Sequence, residues 1–338
     1  MRCTRRGLAV AGLVVFAACA PARAADKAAV GVLRFVSSGP LYLAVERGYF
    51  AAEGIDLELK FFEAAQPIAV AVASGDVQFG LTGITGGTLN LAGKGALKII
   101  ASQGAEKKGF VGNVLVASND AFAKGLKTPA GLAGLSAGMT QVGSTYHYQF
   151  GQIAAAQGFD LARITLKPLQ SIPNMVAAVK TGQVDAAILP PHIAGPMGDR
   201  GEVKILTPLS DIAGYQYGGL FVAPKLVAEN RALAARFVSA YRKGLADYSA
   251  ALLRVDAAGR RVADETTTKA AEQIGKYVYP SDPPAEAAKK VVAAAPYVDP
   301  QGRIDVADIE RQIAWYKSEK LVDAGVEPRN VLDTSFAP

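Results

Sequence analysis

Residues 72–83 read VASGDVQFGLTG, and 107 positions further on residues 179–190 read VKTGQVDAAILP. Both stretches run through the apolar end of a helix, a glycine, a spacer, a valine with an acid or amide beside it, and a short apolar run. Each then empties into a loop of Gly, Thr or Pro. A glycine just past an apolar helical run is a left-handed stop, and the short apolar run behind it reads as a buried strand. One helix–turn–strand unit is therefore used twice, and an internal repeat of this kind sets the architecture.

The flanking sequence extends each copy into a chain of alternating strands and helices. Before the first copy, AAVGVLRFVS (28–37) reads as a strand, GPLYLAVERGYFAAEG (39–54) as a helix opened by Pro40 and stopped by Gly48 and Gly54, and IDLELKFF (55–62) as the next strand. After it come GGTLNLAGKG (86–95) as a helix and LKIIASQ (97–103) as a strand. Around the second copy, GLSAGMT (134–140), ITLKPL (164–169) and VKILTPL (203–209) are strands, and STYHYQFGQIAAAQG (144–158) is a helix with Ser144 or Thr145 at its N-cap. This alternation predicts an α/β fold with mostly parallel strands, built as two Rossmann-like lobes. The similar stretches NVLVAS (113–118) and GLFVAP (219–224) flank the second unit. They are expected to lie side by side as hinge strands. That gives a first lobe of residues 25–116 and 221–338, with an inserted second lobe at 117–220.

The ends bound the function. Arg2, Arg5 and Arg6 precede an uncharged apolar run at 8–18, and ARA (22–24) offers small residues for cleavage. Residues 1–24 are thus expected to be a secretory signal peptide, exported by the Sec or the twin-arginine route, with a lipid anchor at Cys19 as the alternative. Cleavage after Ala24 leaves 314 of 338 residues, removes both cysteines (Cys3 and Cys19), and takes Arg2, Arg5, Arg6 and Arg23 with it. Of 36 basic residues 32 then face 30 acidic ones, and the formal charge falls from +6 to +2. The basic balance of the full sequence is mostly signal peptide and is no argument for nucleic acid or a membrane surface. A chain of this length exceeds one comfortable core, consistent with two lobes.

The stretches GPLYLAVERGYFAAEGIDLEL (39–59), ASGDVQFGLTGITGG (73–87), KTGQVDAAILPP (180–191) and LVDAGVEPRNVLDTSF (321–336) carry a family resemblance. The mature chain resembles the periplasmic solute-binding proteins of ABC importers, in the branch serving nitrate, taurine, alkanesulfonates and thiamine-precursor pyrimidines. The resemblance implies a type II periplasmic-binding fold, a permease partner in the inner membrane, and a periplasmic monomer. It also implies that the loops after the two repeated strands face each other across the cleft.

Ligands of open α/β sheets sit beyond the carboxyl ends of strands. Glycine-freed backbone N–H groups beside Ser or Thr hydroxyls at helix starts suit an anionic head group. SSGPL (37–41), TGITGG (82–87) and VGSTY (142–146) are each such a site. The predicted ligand-binding residues are Ser38, Gly39, Tyr42, Phe62, Gln66, Thr82, Gly83, Thr85, Gly143, Ser144, Thr145, Tyr146, Pro190, His192 and Tyr217. Tyr42, Phe62, Tyr146, Tyr215 and Tyr217 are the candidates to stack on a flat ring. Each also has a plain reading as helix cap or core. Arg34 and Glu63 are near enough in sequence to reach in. No cofactor, metal site or catalytic residue is expected, because His, Asp and Glu do not converge.

The sequence favours an extracytoplasmic binding protein for a small organic anion, a sulfonate or carboxylate, aromatic ones included. A pyrimidine thiamine precursor is the alternative ligand. A rival class is an enzyme on the same fold, a lyase or pyrimidine synthase, for which His192 and Glu63 are the acid–base candidates.

Overall fold

A computed structural model describes residues 24–336. Of the expected signal segment only Ala24 falls within that range; the remainder, with both cysteines, lies outside the described residues.

The first repeat unit supplies strands β1 (Asp26–Val32), β2 (Ile55–Phe61), β3 (Phe79–Gly83) and β4 (Lys98–Glu106). Between them run helices α1 (Gly39–Glu46), α2 (Tyr49–Ala52), α3 (Ala65–Ser74) and α4 (Gly86–Gly93). Pro40 opens α1, and α3 ends at Gly75 with φ of 87°, a backbone that glycine takes without a Cβ penalty. The chain then builds β5 (Val114–Ala117), α5 (Asn119–Ala123), β6 (Ser136–Met139), α6 (Thr145–Gln157), β7 (Thr165–Pro168), α7 (Ile172–Lys180), β8 (Ala186–Leu189), α8 (Pro191–Asp199) and β9 (Lys204–Pro208). It returns through β10 (Tyr215–Val222) and closes with α9 (Pro224–Leu252), α10 (Glu265–Val278), α11 (Pro284–Ala293), α12 (Val306–Ser318) and α13 (Pro328–Val331). Among the described residues no helix is long and apolar enough to cross a membrane.

Two five-stranded sheets result, ordered β2-β1-β3-β10-β4 and β7-β6-β8-β5-β9. Strands β1, β2 and β3 are parallel, as are β6, β7 and β8. In each sheet one strand runs against the rest: β10 between β3 and β4, and β5 between β8 and β9. The two lobes are thus built to one plan, as the repeat implied.

The expected hinge pairing is corrected by this topology. Strands β5 and β10 do not lie side by side, because each is inserted antiparallel into a different sheet. Their likeness in sequence reflects the equivalent, doubly flanked position they hold in the two lobes, where all four residues of β5 and all eight of β10 are buried. The boundaries move accordingly. Residues 114–116, expected in the first lobe, belong to the second sheet, and 215–220, expected in the second lobe, belong to the first. We place the crossings at about 107–113 and 209–214, between the strands that end one sheet and begin the other.

The first lobe's core is aliphatic and aromatic on both sides of its sheet. On one side α9 lays Phe237 flat on Phe79, ring centroids 3.8 Å apart, with Tyr241, Leu245 and Tyr248 buried along the same face. On the other, α3, α4 and α12 enclose Val72, Leu89, Phe221 and Tyr316. The second lobe has its own core around Leu115, Phe150, Met175 and Ile188.

Candidate functional site

The carboxyl ends of the parallel strands point from both sheets into one interlobe cleft. From the first lobe it receives Leu33 and Phe35 after β1, Thr82 and Gly83 ending β3, and Glu106 ending β4. From the second it receives Thr140 and Gln141 after β6 and Pro190, Pro191 and His192 after β8. Because β5 and β10 run antiparallel, their amino ends reach the same place and deliver Asn113 and Tyr217. Ala294 and Pro296, from the segment after α11, complete the wall. The space between the lobes measures about 780 Å³, counted with the part open to solvent.

The lobes are closed on one another. Gly86 N–H at the start of α4 donates to the Gly143 carbonyl at 2.8 Å, and Ile172 N–H donates to the Glu63 carbonyl at 3.3 Å. The Thr145 hydroxyl donates to the Ile84 carbonyl (3.0 Å), that of Tyr316 to the Ser144 carbonyl (3.2 Å), and that of Tyr279 to the His192 carbonyl (2.7 Å). The rings of Phe35 and His192 also meet across the gap, 4.8 Å between centroids.

Helix starts shape the floor. Thr85 caps α4, its hydroxyl accepting Thr88 N–H at 3.0 Å and donating to the Gln66 side chain at 2.6 Å. Ser144 caps α6, accepting His147 N–H at 3.3 Å. Each cap satisfies one of the donors that a helix start leaves open, and both caps face the cleft.

The charge in the cleft is unlike what an anion site would carry. Among the described residues its lining contains no Lys or Arg. Its ionisable side chains are Glu106, His192 and the two tyrosines, Tyr146 and Tyr217. Glu106 is 2% exposed, and burial pushes its carboxyl up to about 8, opposed only by the Asn113 N–H bond. Oε1 accepts that N–H at 2.9 Å and meets Gln149 Nε2 at 3.5 Å. Oε2 is buried without a hydrogen-bond partner among the described residues. It rests against Gly112, where a Cβ would collide with it, so the close approach requires glycine. The Thr82 and Tyr217 hydroxyls, also in the lining, are likewise buried without partners. Burial holds His192 down at about 3, so its ring is neutral.

Of the predicted ligand residues, Gln66, Thr82, Gly83, Thr85, Ser144, Thr145, Tyr146, Pro190, His192 and Tyr217 all line this cleft. Five do not. Tyr42 is fully buried on the inner face of α1, its hydroxyl donating to the Leu33 carbonyl at 2.7 Å and its ring stacked on Tyr277 at 4.5 Å. Ser38 donates to the same carbonyl at 3.2 Å, and Gly39 packs against Tyr248 and Ile274, so Ser37 is the residue of that loop that reaches the cleft. The strand ends at Val32 rather than Ser37, and a 3-10 turn at Val36–Ser38 rotates the following side chains inward. Phe62 lines an outer groove with Arg34, Glu63 and Tyr279. Gly143 sits on the closed rim, giving its carbonyl to Gly86. Arg34 is also outside, with its guanidinium over the Phe61 ring at 3.6 Å. Sequence reasoning missed Glu106, Gln103 and Asn113. The signal was in the strand, which runs three residues beyond Gln103 to Glu106.

Residues 36–251 match the family model described as NMT1/THI5 like, nearly two thirds of the chain. No curated protein matches the sequence. Among solved structures, the alkanesulfonate-binding protein SsuA of Xanthomonas axonopodis pv. citri, bound to MOPS, is similar at 16% identity. Its TM-score is 0.72, over 93% of this chain and 100% of its own. The periplasmic aliphatic sulphonate binding protein SsuA of Escherichia coli is similar at 17% identity and TM-score 0.68, over 91% and 92%. The desulfurization enzyme DSZB follows at 14% identity and TM-score 0.60, over 92% and 97%. At these identities the likeness is one of fold, and it matches the two-lobed architecture, while the match to residues 36–251 carries the kinship: the chain belongs to the NMT1/THI5-like family and has the type II fold of periplasmic binding proteins.

Proposed function

We propose that the chain is the extracytoplasmic solute-binding component of an ABC importer, holding a small flat solute between its lobes for a membrane permease. Closure of two similar lobes about the solute, with hydrogen bonds formed directly between their rims, is the motion such a role requires. The solute is uncharged or weakly basic, of the aminopyrimidine kind. The observation that carries this is the lining itself: a buried acid with an unpartnered oxygen, polar amides and hydroxyls, and no Lys or Arg. A sulfonate or carboxylate would find no Lys or Arg among the described lining residues to offset its charge. The organic-anion reading retains one supporting feature, the starts of α4 and α6 opening on the cleft.

Thermal melting of the chain from Ala25, against pyrimidines, sulfonates, aromatic carboxylates and nitrate, tests the proposal. A ligand at a hundred times its dissociation constant adds roughly 2.7 kcal/mol. Stabilisation by pyrimidines, with the compound recovered unchanged, is expected. Stabilisation by sulfonates alone would reverse the ligand assignment, and turnover of any bound compound would refute the transport role.

A further inference from the structure

Among the described residues the acid at the end of β4 has no counter-charge beside it. Tyr215 and Tyr217 face it from β10, and burial pushes both hydroxyls up, so both stay neutral. Gln149 approaches from α6, presenting Nε2 to Glu106 Oε1 at 3.5 Å and lying beside the Tyr215 hydroxyl. Lys107, the next residue along, turns away and holds its ammonium 4.0 Å from the Tyr297 ring centroid. On the far side of β4, Arg303 is paired with Asp299 at 2.8 Å, and Asp308 of α12 takes Arg311 at 3.0 Å and the Gln216 N–H at 2.7 Å. His192, across the cleft, is neutral. Three of the buried side-chain polar atoms lacking partners among the described residues, on Thr82, Glu106 and Tyr217, line this cleft. A buried polar group without a partner is costly, so such a cluster at a cleft floor marks the place where a ligand supplies the missing bonds.

We propose that Glu106 captures the solute as a carboxylic acid, sharing one proton between its free Oε2 and a ring nitrogen of a weakly basic heterocycle. This deepens the solute-binding reading above and rests on it. The proton count follows directly. The bound pair holds one proton, whichever atom carries it. Between the basicity of the free ligand and that of Glu106, binding exchanges no proton with solvent. Below the ligand's own titration the free ligand carries an extra proton, which binding must release. Above the titration of Glu106 the free protein has lost the shared proton, and binding must take one up. Affinity is then bell-shaped in pH, falling tenfold per pH unit on either limb. An anion of a strong acid would leave the acid limb flat.

Calorimetric titration with 4-amino-2-methylpyrimidine from pH 5 to pH 9.5, in two buffers of different ionisation enthalpy, measures affinity and proton exchange together. The wild type should show both limbs. Glu106→Gln, whose amide can donate to the same ring nitrogen, should still bind and should lose the alkaline limb alone, a change that a merely structural residue would not produce. A wild type flat from pH 7 to pH 9.5, or a Glu106→Gln variant with the same alkaline limb, would overturn the proposal. Failure of this pyrimidine at every pH, while another compound of the melting panel binds, would overturn it and leave the solute-binding reading intact. Failure of every compound would count against that reading itself.

Discussion

Glu106 and His192 together predict the pH profile of stability in the unliganded protein. Burial carries Glu106 from 4.5 up to about 8, and His192 from 6.5 down to about 3. For Glu106 the folded state holds the proton more tightly. Its contribution is complete below pH 4.5 and is lost as pH rises through 8. The span of about 3.5 pH units, at about 1.4 kcal/mol each, makes its ionisation cost the fold on the order of 5 kcal/mol. For His192 the sign is opposite: the unfolded chain takes the proton first, so stability is lost as pH falls from 6.5 towards 3. The two slopes cancel between pH 4.5 and 6.5, leaving a plateau there with a decline on each side. Glu106→Gln removes the alkaline decline while keeping an acceptor for Asn113 N–H. Melting curves of wild type and Glu106→Gln at pH 5 and pH 9 give the assay. The gap between them should open by about 4 kcal/mol in favour of the variant, roughly 8 °C at about 2 °C per kcal/mol for a chain this long. A gap that does not change with pH would refute the reasoning, because it would mean that Glu106 ionises in the fold as readily as in water.

Tyr42→Ala should cost about 3–5 kcal/mol of stability through the cavity it leaves under α1, yet leave ligand affinity unchanged in the folded fraction; a selective loss of affinity in calorimetry would return Tyr42 to the site. Tyr279→Phe deletes a hydroxyl that joins the lobes at the His192 carbonyl, so titration should show affinity weakened by about 1 kcal/mol, or about fivefold; an unchanged constant would mean that this bond does not contribute to closure. Gly112→Ala forces the Glu106 carboxyl aside and should weaken pyrimidine binding by about tenfold or more, on the order of 1.4 kcal/mol; unaltered binding would remove Oε2 from the ligand's surroundings.

What was legible in the sequence was the part governed by local rules. Ser144 and Thr85 cap helices because a hydroxyl before an apolar run has one good use, and the strand ends around Thr82 and Pro190 follow from the position of the preceding glycines. Glu106 was illegible for the opposite reason. In GAEKKG it stands among charges that read as a solvent loop, and only the pairing of β4 with β10 extends the strand far enough to bury it. Tyr42 failed through direction: a first-turn aromatic can face a cleft or a core, and the choice is made by Tyr277 on α10, 235 residues away. The exchange of β5 and β10 between the expected lobes shows the same limit, since two strands of equal character say nothing about which sheet each will join.

The position of β10 has a consequence for how the molecule is made. Strands β3 and β4 touch no common partner until β10 arrives between them, more than a hundred residues after β4 ends. The second lobe holds all five of its strands in one continuous run. During synthesis the inserted lobe can therefore pair all its strands first, while the enclosing lobe waits for β10 to join β3 to β4. Non-local pairing of that kind is slow. Refolding from denaturant should show this as a fast phase from the inserted lobe and a slow one from the lobe that encloses it.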